Sequence, residues 1–185
     1  MSPREAGPGP VGHATANPFS GGDDRPRLVV ATRSAAKLRE LAELLDVPRA
    51  ILLSLDDAGV PPDLDVPEEG RTFAANARTK ARAYARLTGL PTLADDSGLE
   101  VDALGGAPGV RTRRFAGERA TDAENNARLL EILAGLPPER RGARYVCVLA
   151  VADPGRAGRR GGIPIVAEAR GTCRGRIALA PRGSG

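Results

Sequence analysis

Two adjacent carboxylates, Asp95 and Asp96, follow the apolar run Pro91-Thr92-Leu93-Ala94 and precede Ser97-Gly98. Paired acidic oxygens suit a hard divalent cation and the phosphates it carries. The pattern predicts a short buried strand that stops at a Ser-Gly turn, with the carboxylates just past its carboxyl end, where open α/β sheets bind ligands. Without other groups converging on it, the same segment reads as an ordinary Asp-rich turn.

The lysines are the next signal. Of the 27 basic residues only Lys37 and Lys80 are lysines, so arginine fills nearly every position where any positive charge would serve. A compact ammonium acts as a point charge on a phosphate, which a guanidinium fork does not reproduce. Lys37 lies in the first turn after Thr32-Arg33-Ser34-Ala35-Ala36, so free backbone N–H groups, the positive end of a helix, two hydroxyls and a lysine coincide. This is an anion site in outline, although the Gly-x-x-x-x-Gly-Lys spacing of a Walker A loop is absent. Asn76 and Lys80 are four residues apart and share one helix face, and Glu68 stands just ahead of that helix. Each feature alone reads as a solvated face or a favourable charge at a helix start, and together they can converge on one cleft.

Composition removes several function classes. The single histidine, His13, lies in an N-terminal stretch without apolar pattern, so neither a Ser-His-Asp triad nor a histidine-rich zinc site is available, and any general base is a carboxylate. Hard oxygen donors favour Mg²⁺, bound by one or two carboxylates with waters and substrate phosphates. Cys147 and Cys173 are too few and too far apart for a zinc ribbon or a disulfide framework and read as reduced thiols. The net charge of +4 could attract nucleic acid, but an aromatic content of 3% leaves few stacking platforms. No apolar run is long enough to span a bilayer, and no signal-peptide pattern opens the chain, so neither nucleic acid nor membrane is expected as a partner and a cytoplasmic location is.

The elements that must position these groups are legible. Residues 1–26, rich in Gly, Pro, Ser and Asp, read as a disordered extension, and residues 27–185 as one α/β domain. Leu28–Thr32 reads as a buried strand, followed by a helix capped by Ser34 with Leu38, Leu41, Leu44 and Leu45 on one face. Ile51–Leu55 is a second strand. A helix capped by Thr72 runs to about Thr88, with Gly89 in the terminating position and Phe73, Ala77, Tyr84 and Leu87 toward the core. Leu99–Leu104 reads as another short strand. Thr121 and Glu124 form a capping-box pattern for a helix through Leu133. Arg144–Asp153 and Ile163–Gly171 read as antiparallel partners around the arginine-rich loop Gly155–Gly162. Alternating strands and helices followed by a hairpin imply an α/β fold with a mixed twisted sheet flanked by helices.

Five motifs in order and spacing, Thr32-x-Ser34-x-x-Lys37, Glu68-x-Gly70-x-Thr72-Phe73, Asn76-Ala77-x-x-Lys80-Ala81, Ala94-Asp95-Asp96-Ser97-Gly98-Leu99 and Leu104-Gly105-Gly106-Ala107-Pro108-Gly109-Val110, resemble the inosine triphosphate pyrophosphatase family. The resemblance implies a central nucleotide cleft and Mg²⁺-dependent hydrolysis of non-standard purine nucleoside triphosphates (ITP, dITP, XTP) to the monophosphate and pyrophosphate. It implies that Asp96 is the general base and a metal-linked residue, that Glu68 is a metal ligand, and that Thr32, Arg33, Ser34, Ala35, Ala36 and Lys37 form the phosphate loop. Asn76, Lys80 and Ser97 would also meet the nucleotide, and the family suggests a homodimer.

Three positions depart from the family pattern. Ser34 stands where Asn is usual, Ala75 stands where Glu is usual, and Ala180-Pro181-Arg182-Gly183-Ser184-Gly185 resembles the lead into a Gly-Phe-Gly-Tyr-Asp-Pro motif that is not in the sequence. The family's later Ser-His-Arg motif is absent as well. On the resemblance, both belong to the base pocket. The expectation is a domain missing its C-terminal portion whose function is this hydrolysis, the alternative being a nucleotide-binding but catalytically impaired fragment that lacks the base-recognition segment.

Overall fold

In a computed structural model of the chain, the described residues are 24–45, 49–157 and 162–181. The extension read at the N-terminus therefore lies almost wholly outside them, as do the middle of the arginine-rich loop and the last four residues.

The chain alternates strand and helix in its first half. Strand β1 (Arg27–Val30) is followed by helix α1 (Ala35–Leu44), strand β2 (Ile51–Leu53), helix α2 (Phe73–Thr88) and strand β3 (Thr92–Val101). Two 3₁₀ turns, Asp102–Leu104 and Gly109–Arg114, lead to helix α3 (Asp122–Ile132). The long strands β4 (Gly142–Ala152) and β5 (Ile165–Arg176) complete one sheet in the order β2-β1-β3-β4-β5. β1 pairs in parallel with β2 and β3, and β3, β4 and β5 are antiparallel to one another. This is the mixed α/β sheet that the sequence pattern implies.

Local signals place the helices where they were expected. The Ser34 hydroxyl accepts the backbone N–H of Lys37, and the Thr72 hydroxyl accepts that of Ala75. Gly89 ends α2 in the left-handed conformation that a residue with a Cβ rarely adopts. Thr121 and Glu124 exchange both hydrogen bonds of a capping box at the start of α3.

Three apolar clusters hold the layers. Phe73, Ala77, Ala81 and Ala85 of α2 pack on Ala94 of β3 and on Val146, Val148, Ala150 and Ala152 of β4. Val29 and Tyr84 pack with Leu55, Ala58, Val60 and Val66 of the loop after β2. Leu129 and Leu133 pack on Val101 and Ala143 at the far end of β3 and β4. Buried Arg141 ties this end together, donating to the carbonyls of Leu133, Ile177 and Ala178 at 2.8–2.9 Å. No helix among the described residues is long and apolar enough to cross a membrane.

Four expectations are corrected. There is no turn at Asp95-Asp96-Ser97-Gly98, because β3 runs unbroken through it, paired with β4 from Thr92↔Ala152 to Val101↔Ala143. Long-range pairing with an equally long β4 overrides the local turn preference of Asp, Ser and Gly. The segment read as a separate strand at Leu99–Leu104 is accordingly the end of β3 plus a 3₁₀ turn. The leucine face of α1 is not a core face, for no α1 residue is buried and Leu44 is 73% exposed. Leu87 of α2 is also about half exposed, while the buried face of the helix is made by Phe73, Tyr84, alanines and Asn76.

Candidate active site

The sheet order creates the crevice. β1 lies between β2 and β3, so the chain leaves β1 toward one side and returns on the other, which opens a gap at the carboxyl end of β1. The β1 ladder on β3 ends at Val30↔Leu93, with one further bond from Ala31 N–H to the Leu93 carbonyl at 2.8 Å. Beyond it, Asp95 and Asp96 have β4 on one side and no strand on the other. Alternation along β3 sends their side chains to opposite faces of the sheet. The two carboxylates are thus divided between two sets of partners.

Asp96 faces α2. Its carboxylate is buried and accepts from Asn76 Nδ2 at 2.9 Å, while Asn76 Oδ1 accepts the Gly70 N–H at 2.7 Å. Asn76 is 2% exposed, so the polar face read from the helix spacing is an internal one. Burial pushes the Asp96 carboxyl above the usual carboxylate range, and the neighbouring Glu68 charge adds to the rise. The hydrogen bonds from Asn76 and from the Ser97 backbone, together with the Lys80 charge, oppose it. A carboxylate with a raised proton affinity is suited to accept a proton from water.

Lys80, one turn along α2 from Asn76, forms an ion pair with Glu68 and donates to the Asp95 carbonyl at 3.1 Å. That carbonyl lies on the edge of β3 that β1 has left open. Burial works against the Lys80 ammonium, but the Glu68 hydrogen bond and the charges of Glu68, Asp95 and Asp96 outweigh it and hold the amine above the ordinary lysine range. Lys80 therefore stays charged throughout the neutral range.

Asp95 faces the other way and meets Lys37 of α1, whose Nζ lies 2.5 Å from Asp95 Oδ2. The loop before Lys37 is wound tightly: the Thr32 hydroxyl accepts the Ser34 N–H at 3.1 Å, and the Ser34 hydroxyl caps the helix. Ala35 and Ala36 form the exposed first turn of α1. Arg33 is not brought to the carboxylates. It pairs with Asp56 and donates to the Pro61 carbonyl at 2.6 Å, which pins the loop after β2.

A cleft of about 830 Å³ opens on the Asp96 side, with Lys80, Asp96 and Ser97 in its lining; Asp95, Lys37 and the loop before it do not line it. One wall is acidic, from Asp65, Glu68 and Glu69, and the opposite wall carries Arg111, Arg113, Arg114 and Arg119. Sequence reasoning missed this arginine wall, although Arg-Thr-Arg-Arg directly follows the Gly-Gly-Ala-Pro-Gly-Val motif. Arg114 reaches across to the Glu68 carbonyl at 3.0 Å. Asn125 of α3 holds the turn, accepting the Ala116 N–H and donating to the Arg113 carbonyl.

Gly98 has a steric reason for being glycine. A Cβ there would lie 2.5 Å from Thr112 Oγ1, 2.7 Å from the Gly109 carbonyl and 3.0 Å from Phe73. The Asp-Asp-Ser-Gly and Gly-Gly-Ala-Pro-Gly segments are therefore packed directly on each other. Cys147, opposite Ser97 on β4, is a free thiol whose pKa is pushed up by burial and by the Asp95 charge, which suits the reading of an ordinary reduced cysteine.

Among the described residues no group of three His, Cys, Asp or Glu side chains could hold a metal ion by itself. Glu68 and Asp96 lie close enough for one charge to raise the proton affinity of the other. Two hard carboxylates fit Mg²⁺ when phosphate oxygens and water complete the shell.

In sequence and in fold the chain is similar to known proteins. The Ham1 family profile matches residues 28–185. A protein of Geobacter sulfurreducens named dITP/XTP pyrophosphatase is 53% identical over 130 residues, which cover 70% of this chain and 64% of that protein. One of Geobacillus kaustophilus with the same name is 49% identical over 158 residues, covering 85% and 72%. The chain thus spans just under two thirds of the first relative's length. Among solved structures, a HAM1 protein from Coxiella burnetii superposes with a TM-score of 0.72 at 38% identity, covering 86% of this chain and 77% of that one. A nucleoside-triphosphatase / dITP/XTP pyrophosphatase from Mycobacterium abscessus gives 0.69 at 41% identity, covering 85% and 77%. With its profile match running from β1 to the last residue and its fold shared with these structures, the chain belongs to the Ham1 family.

Proposed function

We propose that the protein hydrolyses non-standard purine nucleoside triphosphates, of the ITP, dITP and XTP type, to the monophosphate and pyrophosphate with Mg²⁺ as cofactor. The observation that carries this reading is the buried Asp96, raised in proton affinity and fixed by Asn76, in the same cleft as the Glu68–Lys80 pair. The names of the relatives supply the substrate class.

In this reading Asp96 accepts a proton from the attacking water, and Asn76 fixes the direction from which its carboxylate can do so. Glu68 and Asp96 would hold Mg²⁺, which when bound offsets phosphate charge. Lys80 places a permanent positive charge beside the carboxylates, within reach of a phosphate oxygen. Lys37 and the first turn of α1, with free backbone N–H groups, receive another part of the phosphate chain, and for this Lys37 must leave Asp95. Ser97 lines the cleft beside the base.

The test is product analysis on a panel of ITP, dITP, XTP, ATP and GTP with Mg²⁺, separating nucleotides by chromatography and measuring pyrophosphate. Monophosphate and pyrophosphate in equal amounts from the first three, with far less from ATP and GTP, is the expected result. Nucleotide binding without pyrophosphate release, or release of orthophosphate instead, would contradict the proposal.

A further inference from the structure

We propose that the α2-facing side of β4 and β5 carries a second anion site, separate from the catalytic cleft, that takes oligophosphate ligands such as pyrophosphate. The β4–β5 ladder sets Arg144 directly opposite Arg174, and Arg170 four pairs along, opposite Val148. Strand alternation puts all three on one face, the face on which Glu168 of β5 pairs with Arg78 of α2. Like charges directly opposite in a ladder are unfavourable unless something compensates them.

A cavity of about 520 Å³ on this face is lined by Arg71, from the segment before α2, with Arg144 and Arg170. Its apolar lining includes Phe73, Pro108, Val110 and Val148. Across this group of four arginines, the one carboxylate partner among the described residues is Glu100, which pairs with Arg144 at 2.6 Å. Glu100 lines the cavity beside Arg144, while Arg71 and Arg170 in the cavity and Arg174 on the same face are left uncompensated. Their planar forks match phosphate oxygens in pairs. None of the charged residues lining this cavity lines the catalytic cleft.

The experiment is calorimetric titration of the whole chain with inorganic pyrophosphate in EDTA, and in parallel with ATP, using Lys37→Met, Arg71→Ala and the double variant Arg170→Ala/Arg174→Ala. Pyrophosphate affinity is expected to survive Lys37→Met and to fall about tenfold or more in both arginine variants. The arginines are exposed and on separate elements, so two matching losses with unchanged circular dichroism exclude a folding artefact. Binding of pyrophosphate alone assigns the site to free inorganic anions, and binding of ATP with the same losses assigns it to nucleotide tails. No pyrophosphate binding by the unaltered chain, or binding abolished by Lys37→Met and untouched in the arginine variants, overturns the proposal. No turnover is measured, so this outcome is independent of the function proposed above.

Discussion

Asn76 is oriented by two bonds of opposite sense, its carbonyl oxygen accepting from Gly70 and its amide nitrogen donating to Asp96. A side chain that must satisfy both partners cannot flip, so the Asp96 carboxylate is held at a fixed angle to α2. A Cβ at Gly70 would overlap Asn76 Oδ1 and lie 3.0 Å from Ala75 Cβ. Gly70→Ala is therefore expected to displace the amide and reduce kcat about 10²-fold, the scale of an ångström-sized misplacement. Steady-state kinetics with thermal melting checks this, and a variant with normal kcat would show that the bond has no role.

Asp96→Asn is expected to separate stability from activity. The native carboxyl has a raised pKa, so between the usual carboxylate range and that raised value the folded state binds more protons than the unfolded state. Its contribution to stability then falls as pH rises through this window and is unfavourable at neutral pH. The amide carries no charge and can still accept from Asn76. Asp96→Asn should therefore melt higher than the parent at pH 7, with the difference vanishing as pH falls below the carboxylate range. Melting curves across pH give the answer, and a variant less stable at neutral pH would refute it.

Removal of the Lys80 ammonium leaves Glu68 facing Asp96 with no intervening cation. Lys80→Met is expected to cost about 1–2 kcal/mol, since the pair is only partly shielded from solvent, and to lower turnover more than tenfold. The amine's raised pKa means that its stabilising contribution is complete below the ordinary lysine range and is lost only as pH climbs through the raised value. Chemical denaturation should accordingly show the same difference between Lys80→Met and parent from pH 6 to pH 9.

Lys37 gives a contrasting case. Its side chain is 41% exposed but that of Asp95 only 11%, so the pair is half-buried and Lys37→Met should cost about 1 kcal/mol. If the lysine meets a phosphate, KM for the nucleotide should rise about tenfold, more than a stability loss of that size accounts for. Equal loss in both measurements would assign Lys37 a structural role instead.

Features encoded by neighbouring residues were legible in the sequence. The caps at Ser34, Thr72 and Thr121, the stop at Gly89 and the β4–β5 pair follow from local chemistry and period. Asn76 and Lys80 share a helix face by spacing alone, and the structure turns that face toward Asp96. Distant pairing was not legible. The continuity of β3 through Asp95–Gly98 depends on β4, some fifty residues later, and the division of the two aspartates between two faces follows from that continuity. Burial was also hidden: nothing local says that the leucines of α1 stay uncovered while Asn76 is enclosed. The arginine wall of the cleft was missed because Arg111, Arg113 and Arg114 lie on an irregular turn, where spacing does not reveal direction.

In the proposed function Asp96 is the base of a Mg²⁺-dependent pyrophosphatase. Its most direct test is pyrophosphate release from dITP by the parent and by Asp96→Asn, each with Mg²⁺ and with EDTA. Release by the parent only with Mg²⁺, and a loss of about 10²- to 10⁴-fold in the variant, which remains folded, is the expected result. Equal release by parent and variant, or release unaffected by EDTA, would contradict it.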